Sequence, residues 1–302
     1  SLSNTKVPVP KVFYLCGDRG EIGTPYFVME YIDGFTFPEP ELPKLTIEQR
    51  QRVYDEMNRG LSELHKINPN DIGLGQYGRP GNYFERQLSI WSRQFENSAT
   101  ETIREMDVLK EWLSKNVPLQ VLPSKLVHGD WRIDNLIFSK SDFSLKAVLD
   151  WELSTLGDPL ADLATQLMQW SMPIGKEGRG LSGVDRKSLG IPEDKQFVEL
   201  YSKRVGLTKV PDLSFPMALS YYKMGAILQG VSHDLRTPLT RLKLSLALLE
   251  NTNETKEMLD DVNSMQSMLD AFLVFAKTEA TEETTLVNPI IFLQRLVTKN
   301  KK

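Results

Sequence analysis

The sequence contains a single cysteine, Cys16, among 302 residues. One cysteine can form neither a disulfide framework nor a thiolate metal cluster, so we expect any bound metal to use oxygen ligands. Sparse cysteine is also typical of proteins that work in a reducing compartment, and we therefore expect a cytoplasmic location.

The sequence also has no excess of positive charge and no long apolar run. A formal net charge of -4 and a pI near 5.6 provide no basic surface for phosphate contacts, which argues against nucleic acid as a partner. No segment approaches the roughly 20 consecutive apolar residues of a membrane span. Residues 1–10 have neither the charged start nor the apolar stretch of a signal peptide.

The composition of the sequence, with 40% hydrophobic and 25% charged residues, is typical of a globular protein. Apolar alternation around a turn predicts a β-hairpin over Lys11–Ile32. Spacings of three and four predict a helix over Thr46–Lys66 with Thr46 as its N-cap. Further helices are predicted over Ser89–Asn97, over Glu101–Lys115 and in the segment that ends at Gly230, and a strand over Leu145–Asp150.

Two short motifs carry polar residues between apolar strands: LVHGDWRIDNLIF over Leu126–Phe138 and AVLDWE over Ala147–Glu152. Phosphoryl transfer needs a carboxylate to orient the attacking hydroxyl and oxygen ligands for Mg²⁺ on the phosphates. Asp130 is the candidate base. Asn135 and Asp150 are the candidate metal ligands, because Mg²⁺ prefers few protein oxygens together with water and phosphate.

HGDWRIDN followed by VLDWE resembles the aminoglycoside-phosphotransferase and choline-kinase-like branch of the protein-kinase fold. The resemblance covers about the first 230 residues and is strongest to kinase-like domains found beside acyl-CoA dehydrogenases, some of which phosphorylate hydroxylated acyl substrates. It implies ATP, Mg²⁺ and a small-molecule hydroxyl acceptor. The segment FVMEYIDG resembles the hinge whose backbone holds adenine, here at Glu30 and Tyr31.

Four further polar residues have plainer interpretations. His128 is expected to brace the loop around Asp130 more than to move a proton, and His65 is expected to be structural. Asp158 and Asp162 are expected to cap and anchor the loop around Pro159, with metal association as the alternative.

The kinase pattern is incomplete before Phe27 in this sequence. A complete kinase has a glycine-rich loop and a strand lysine paired to a glutamate, all before the hinge. Gly17, Gly20 and Gly23 instead fall in the predicted hairpin turn. We therefore expect weak ATP binding by this polypeptide.

The pattern changes near Gly230. Leucines then recur with spacings of four and three, which is a heptad seam, and a second seam follows the polar turn of residues 251–256. The two seams are Leu235, Leu239, Leu242, Leu246 and Leu249, and Met258, Val262, Met265, Leu269, Phe272 and Ala276. Two such helices cannot bury their seams alone, so we expect a four-helix bundle in a homodimer through residues 231–277.

The segment VSHDLRTPLTRL, Val231–Leu242, closely resembles the phospho-acceptor box of bacterial sensor histidine kinases. The resemblance implies that His233 accepts a phosphoryl group, that Asp234 takes its proton and that Thr237 positions a water. It also implies a response regulator as partner. No ATP-binding domain is recognised after the hairpin, so we expect phosphorylation by a histidine kinase catalytic domain in trans.

The predicted fold is α+β: a truncated protein-kinase-like domain, with a short hairpin and a mainly helical large lobe, followed by an antiparallel helical hairpin. The predicted boundaries are 1–230 for the kinase-like domain, 231–280 for the hairpin and 281–302 for a tail. Three interpretations of function stay open: a small-molecule phosphotransferase, a signalling fragment phosphorylated on His233, and a catalytically inert chimera.

Overall fold

The computed structural model describes residues 1–17, 25–79, 82–98, 103–119, 123–175, 179–247, 256 and 258–263, with only the backbone for 231–237. The chain forms two compact units. The first consists of Ser1–Tyr83 with Leu119–Met217, and the second of Phe84–Pro118 with the residues from Ala218 onward.

Short antiparallel strand pairs and helices make up the described chain. The strands are β1 (Val12–Cys16), β2 (Tyr26–Met29), β3 (Lys125–Val127), β4 (Leu136–Phe138), β5 (Leu145–Val148) and β6 (Thr155–Gly157). The α-helices are α1 (Ile47–Lys66), α2 (Tyr83–Ser98), α3 (Arg104–Lys115), α4 (Leu160–Trp170), α5 (Arg186–Leu189), α6 (Asp194–Val205) and α7 (Ser214–Ala247). This mixed architecture confirms the predicted fold class. None of the helices within the described ranges has the length and apolar character needed to cross a membrane.

Helix α1 forms where its sequence predicts it. Thr46 is the N-cap, and its hydroxyl accepts from the Gln49 amide while the Gln49 side chain accepts from the Thr46 amide. This capping box satisfies two backbone donors that the first turn leaves unpaired. The apolar stripe of α1 is fully buried in the core of the first unit, at Val53, Met57, Leu61 and Leu64.

The predicted hairpin is also present. Strands β1 and β2 pair antiparallel, with Tyr14 opposite Val28 and Leu15 opposite Phe27. Their side chains are largely exposed, and Leu15 is 74% exposed. Residues 18–24, which include Gly20 and Gly23 of the predicted turn, lie outside the described residues.

In the first unit, two strand pairs bring together loops that are distant in the sequence, each at one edge of a pair. Strand β4 pairs antiparallel with β5, with Leu136 opposite Val148. Strand β3 pairs with β6, with Val127 opposite Thr155. Because antiparallel partners run in opposite directions, the residues just before β4 lie beside those just after β5.

Helix α7 is one continuous helix of 34 residues that runs through Gly230, where the sequence pattern changes. Both Gly225 and Gly230 adopt helical backbone angles, which costs about 1 kcal/mol each relative to alanine. A Cβ on Gly225 would lie 2.7 Å from the Met106 sulfur of α3, so a larger residue there would require that flexible side chain to move. Pro238 lies inside the helix as well.

The second unit packs α2 and α3 with α7. The rings of Phe95 and Tyr222 lie 6.1 Å apart, and Lys223 Nζ lies 5.3 Å from the Trp91 ring centroid. Residues 258–263 are helical. Of the predicted seams, the side chains of Leu235, Leu249, Met265, Leu269, Phe272 and Ala276 lie outside the described residues.

Candidate active site

The loop between β3 and β4 carries Asp130 and is held by a carboxylate from α4. The His128 amide donates to Asp162 Oδ2 at 2.6 Å, and the Gly129 amide donates to Asp162 Oδ1 at 2.7 Å. Both oxygens of one buried side chain therefore bond to adjacent backbone groups. Hydrogen bonds to a charged acceptor are worth about 1.5–3 kcal/mol each, so this contact fixes the loop firmly.

Glycine is required at position 129. Its φ of +86° is a left-handed conformation that L side chains rarely adopt, and a Cβ there would lie 2.5 Å from the Leu153 carbonyl oxygen. The close approach of residue 153 leaves no room for a side chain beside Asp130.

Asn135 bonds directly to Asp130. Its Nδ2 donates to the Asp130 carbonyl at 2.9 Å and to the Asp130 carboxylate at 3.1 Å. A single 3₁₀ turn over Ile133–Asn135 brings the two side chains together. Asp130 remains 28% exposed, so a ligand can still reach its carboxylate.

Asp150 follows β5 at the same edge. The residue before it, Leu149, donates its amide to the Asn135 carbonyl at 2.9 Å, and its own carbonyl lies 2.8 Å from His128 Nε2. Asp150 has a φ of +61°, a conformation that costs an L residue about 1–2 kcal/mol. The structure thus brings the three predicted site residues to one edge of the β4–β5 pair.

The oxygen atoms at this edge suit Mg²⁺. In the described chain, no group of three or more His, Cys, Asp or Glu is arranged to hold a metal. Mg²⁺ does not need such a cage, because it is commonly held by one or two protein oxygens together with phosphates. The Asn135 nitrogen is engaged by Asp130, which leaves Oδ1 as the atom for a cation, and Asp150 after β5 is exposed.

The two acids around Pro159 have anchoring contacts. Asp158 Oδ1 accepts from the Leu160 amide at 2.9 Å, and burial raises the pKa of its carboxyl. Asp162 is 1% exposed and both of its oxygens accept backbone N–H groups. These contacts support the loop-anchoring interpretation of the two residues over metal association.

A buried side-chain relay extends from Asp162 to α6. His65 Nε2 lies 3.2 Å from Asp162 Oδ2, and His65 Nδ1 lies 2.7 Å from the Tyr201 hydroxyl. Since the carboxylate can only accept, we infer that Nε2 carries the proton and that Nδ1 accepts from Tyr201. Burial alone would raise the pKa of Asp162, but the hydrogen bond from His65 and the electrostatic effect of the His65 and His128 rings lower it.

Beside Asp130, a second acid is shared by two arginines. Arg132 Nε donates to Asp134 Oδ1 at 3.0 Å, its Nη2 bonds to Asp134 Oδ2, and Arg179 Nη1 donates to Asp134 Oδ2 at 3.1 Å. Burial opposes ionisation of Asp134, but the hydrogen bonds and charges of the two arginines hold its pKa below the ordinary value.

The hinge candidates lie at the end of β2. Glu30 and Tyr31 are both exposed, and Tyr31 is 85% exposed. The Glu30 amide already donates to the Lys11 carbonyl at 2.8 Å. An adenine held at this segment would therefore use the Glu30 carbonyl or the Tyr31 amide.

The phospho-acceptor candidates lie on α7, in the second unit. The backbone of His233, Asp234 and Thr237 is helical, and their side chains lie outside the described residues. With 3.6 residues per turn, Thr237 is about one turn beyond His233 on the same face.

Several residues around Asp130 were not identified as site residues from the sequence. The anchoring of residues 128 and 129 by Asp162 spans more than 30 positions, which no local pattern reveals. Arg132 and Asp134 could have been identified from the sequence, because the HGDWRIDN motif shows their opposite charges.

Comparison with known proteins places these features in two families. A model of the phosphotransferase enzyme family matches residues 1–184, and a model of the His Kinase A (phospho-acceptor) domain matches residues 223–281. Acyl-CoA dehydrogenase family member 10 of Mus musculus is 36% identical over 283 residues, which are 93% of this chain and 26% of that protein. The chain spans about a quarter to a third of the length of the curated relatives it matches.

Solved structures agree with the first match. A candidate aminoglycoside phosphotransferase from Ralstonia eutropha superposes with a TM-score of 0.73 at 35% identity, covering 90% of this chain and 79% of that one. An aminoglycoside phosphotransferase from Streptomyces rimosus, solved with ADP and streptomycin, gives a TM-score of 0.51 at 14% identity over 74% of this chain and 78% of that one. The second likeness is one of fold alone.

We predict that Asp162→Asn lowers the stability of the protein in a pH-dependent way, because the substitution removes the Asp162 charge. An amide cannot accept all three N–H groups, so the free energy of unfolding at pH 7 should fall by about 3 kcal/mol. Since the folded pKa lies below the ordinary 3.8, this stabilisation is fully present above that pH and is lost as the pH falls through the folded pKa. The variant and the parent should therefore converge in urea unfolding as the pH falls below the ordinary 3.8.

Asp158→Asn is the matched control, since the pKa of Asp158 is shifted in the opposite direction and an asparagine oxygen can still accept from Leu160. It should be neutral or stabilising at pH 7. A constant difference between parent and Asp162→Asn across the acid range would contradict the role given to the Asp162 charge.

Proposed function

Since the chain belongs to the phosphotransferase enzyme family, we propose that residues 1–230 transfer the γ-phosphate of ATP to a hydroxyl of a small molecule. The chain joins this phosphotransferase domain to a His Kinase A phospho-acceptor domain, which confirms both resemblances. The observation that carries the proposal is the hydrogen bond from Asn135 to the Asp130 carboxylate, with the Leu149 amide bonded to Asn135. It supports a base held next to two oxygen ligands.

Each residue of the site has a stated role in the proposed reaction. Asp130 orients the acceptor hydroxyl and takes its proton as the oxygen attacks the γ-phosphorus. The Asn135 amide nitrogen keeps the Asp130 carboxylate in one orientation, and Asn135 Oδ1 with Asp150 holds Mg²⁺. Mg²⁺ held by these two residues would neutralise negative charge on the phosphates of the nucleotide.

The nucleotide is proposed to bind with adenine against the backbone of Glu30 and Tyr31. The exposed segment after β2 leaves the Glu30 carbonyl and the Tyr31 amide for this contact. ATP is the donor we propose, and the ADP complex of the Streptomyces rimosus protein gives a precedent within the fold.

The acceptor is proposed to be a hydroxylated acyl compound in preference to an aminoglycoside. The support is the 36% identity to a protein named as an acyl-CoA dehydrogenase family member, and the 35% identity to the Ralstonia eutropha protein makes an aminoglycoside the alternative. Both phosphotransfer elements are proposed to operate in the cytoplasm, where ATP and response regulators are found.

Substitution of Asp130 or Asp150 tests this proposal. In an assay with millimolar ATP and hydroxyacyl acceptors, Asp130→Asn should lower the rate by about 10²–10⁴-fold, because the hydroxyl loses its base. Asp150→Ala should abolish Mg²⁺-dependent nucleotide binding in calorimetry while far-UV circular dichroism is unchanged.

Asp142→Asn is the control, since this aspartate lies on the exposed β4–β5 turn. It should keep parental activity. Equal nucleotide binding by Asp150→Ala and the parent would contradict the metal assignment, and a parent without turnover would favour the catalytically inert chimera.

We propose a second function for residues 231–280, because the His Kinase A match at 223–281 contains the complete phospho-acceptor box. His233 accepts a phosphoryl group from a histidine kinase catalytic domain acting in trans. Asp234 takes the imidazole proton, and Thr237 positions a water for dephosphorylation of a response regulator. We propose no function for residues 281–302, the predicted tail.

Labelling with radioactive ATP tests the acceptor. The site around Asp130 is proposed to act on hydroxyl oxygen, so the chain alone should gain no acid-labile phosphate. Adding a separate histidine kinase catalytic domain should label the parent and Asp130→Asn equally, and should not label His233→Gln. Acid-labile phosphate on the chain alone that disappears in His233→Gln would refute this assignment.

The hairpin is also proposed to make a homodimer through residues 231–277. Leu242 and Met258 belong to the predicted seams, and they are 51% and 55% exposed in the single chain. Apolar seams of this kind are buried in four-helix bundles. A second copy of the hairpin would cover them.

Analytical ultracentrifugation tests the dimer. Replacing Leu242 and Leu269 by lysine should give monomers, because charges in a seam oppose burial. Leu244→Lys is the matched control, since Leu244 is 62% exposed on the same helix but lies off the seam. A parent that sediments as a monomer at micromolar concentration would contradict the four-helix arrangement.

A further inference from the structure

The guanidinium of Arg132 lies next to the proposed reacting groups. Its Nε is 3.9 Å from Asp130 Oδ1, and its charge also interacts with that of Asp150. Arg132 therefore forms an ion pair with the candidate base. Since Asp130 is proposed to take the proton of the acceptor hydroxyl, the charge of Arg132 lies near the proposed reacting groups.

Arg132 is held in place by its neighbours. Nε and Nη2 bond to the two oxygens of Asp134, and the same carboxylate binds Nη1 of Arg179. The Arg132 side chain is only 27% exposed. An arginine fixed on a carboxylate in this way loses little conformational freedom when it binds a further anion.

One edge of the guanidinium is still available. In the described part of the chain, Nη1 of Arg132 has no hydrogen-bond acceptor, because Asp134 engages Nε and Nη2. Asp134 carries one negative charge between two arginines, so these three side chains together carry one net positive charge. Such an edge suits the oxygens of a phosphoryl group.

We propose that Arg132 is a catalytic residue that contacts the phosphoryl group in transit, and that Asp134 and Arg179 are positioning residues that hold it. The inference rests on the proposed phosphotransferase function. As the bond between the γ-phosphorus and the bridging oxygen breaks, the electron pair leaves with ADP. The acceptor oxygen forms the new bond to phosphorus, and its proton passes to Asp130.

A cation at this position acts on the transition state. Charge spreads over the three equatorial oxygens of the phosphoryl group during transfer, and an arginine that meets them lowers the barrier. Removing the charge of Arg132 should therefore weaken binding of the planar phosphoryl group more than binding of ADP.

Equilibrium binding to the full 302-residue chain tests the inference without turnover. The probes are ADP with Mg²⁺, alone and with aluminium fluoride, which forms a planar analogue of the transferring phosphoryl group. In the parent, aluminium fluoride should tighten ADP binding. In Arg132→Gln this gain should fall by at least about 10-fold, while the affinity for ADP alone changes by less than about 3-fold.

Two variants complete the design. Arg132→Lys keeps the charge but loses the two-point contact with Asp134, so it should recover part of the gain. Arg52→Gln removes an arginine that is paired with Glu56 on α1, away from Asp130, and should match the parent.

The outcomes distinguish a failure of the role given to Arg132 from a failure of the proposed phosphotransferase function. An equal gain in Arg132→Gln and the parent, or an equal loss of ADP and analogue binding in the variant, would overturn the role of Arg132 and leave the phosphotransferase proposal in place. A parent that binds ADP but gains nothing from aluminium fluoride would also overturn it. A parent that binds no ADP with Mg²⁺ would refute both.

Discussion

The paired hydrogen bonds from the His128 and Gly129 amides to Asp162 are the contact on which the candidate site depends. They fix the backbone just before Asp130 from a helix that lies more than 30 residues further along the chain. The carboxylate is buried, and its charge is stabilised by these donors and by the His65 and His128 rings. Because Tyr201 bonds to His65 in turn, the relay links α1, α4 and α6 to one loop.

The β4–β5 pair makes the second contribution. Antiparallel pairing sets Asn135, just before β4, beside Leu149, just after β5, and one backbone hydrogen bond joins them. His128 binds the Leu149 carbonyl on the other side. The loop that Asp162 holds and the strand edge that carries Asp150 are thus joined at Leu149, and a change at Asp162 should reach Asp150 through this residue.

Patterns with a local cause could be predicted from the sequence. The N-cap at Thr46, the hairpin at β1 and β2 and the strand at Leu145 each follow from neighbouring residues, and the structure has all three. The HGDWRIDN and VLDWE motifs were enough to select Asp130, Asn135 and Asp150, which stay predictions as catalytic groups. Their geometry was not predictable, because it comes from antiparallel pairing.

Nonlocal contacts limited the rest. The sequence around Pro159 predicted capping and loop anchoring at that place. In the structure Asp162 accepts hydrogen bonds from residues 128 and 129, more than 30 positions earlier. A single sequence does not reveal such a long-range contact. The contact between α3 and α7 is a similar case, because Gly225 lies where α3 approaches α7 and no local pattern reveals that approach.

The central claim is that Asn135 and Asp150 hold the metal of a nucleotide whose γ-phosphate faces Asp130. A crystal structure of the chain with Mg²⁺ and a non-hydrolysable ATP analogue tests it most directly. The account predicts Mg²⁺ at about 2.0–2.1 Å from Asn135 Oδ1 and an Asp150 carboxylate oxygen, with the γ-phosphate facing Asp130. A nucleotide bound elsewhere, or a metal without either residue among its ligands, would contradict it.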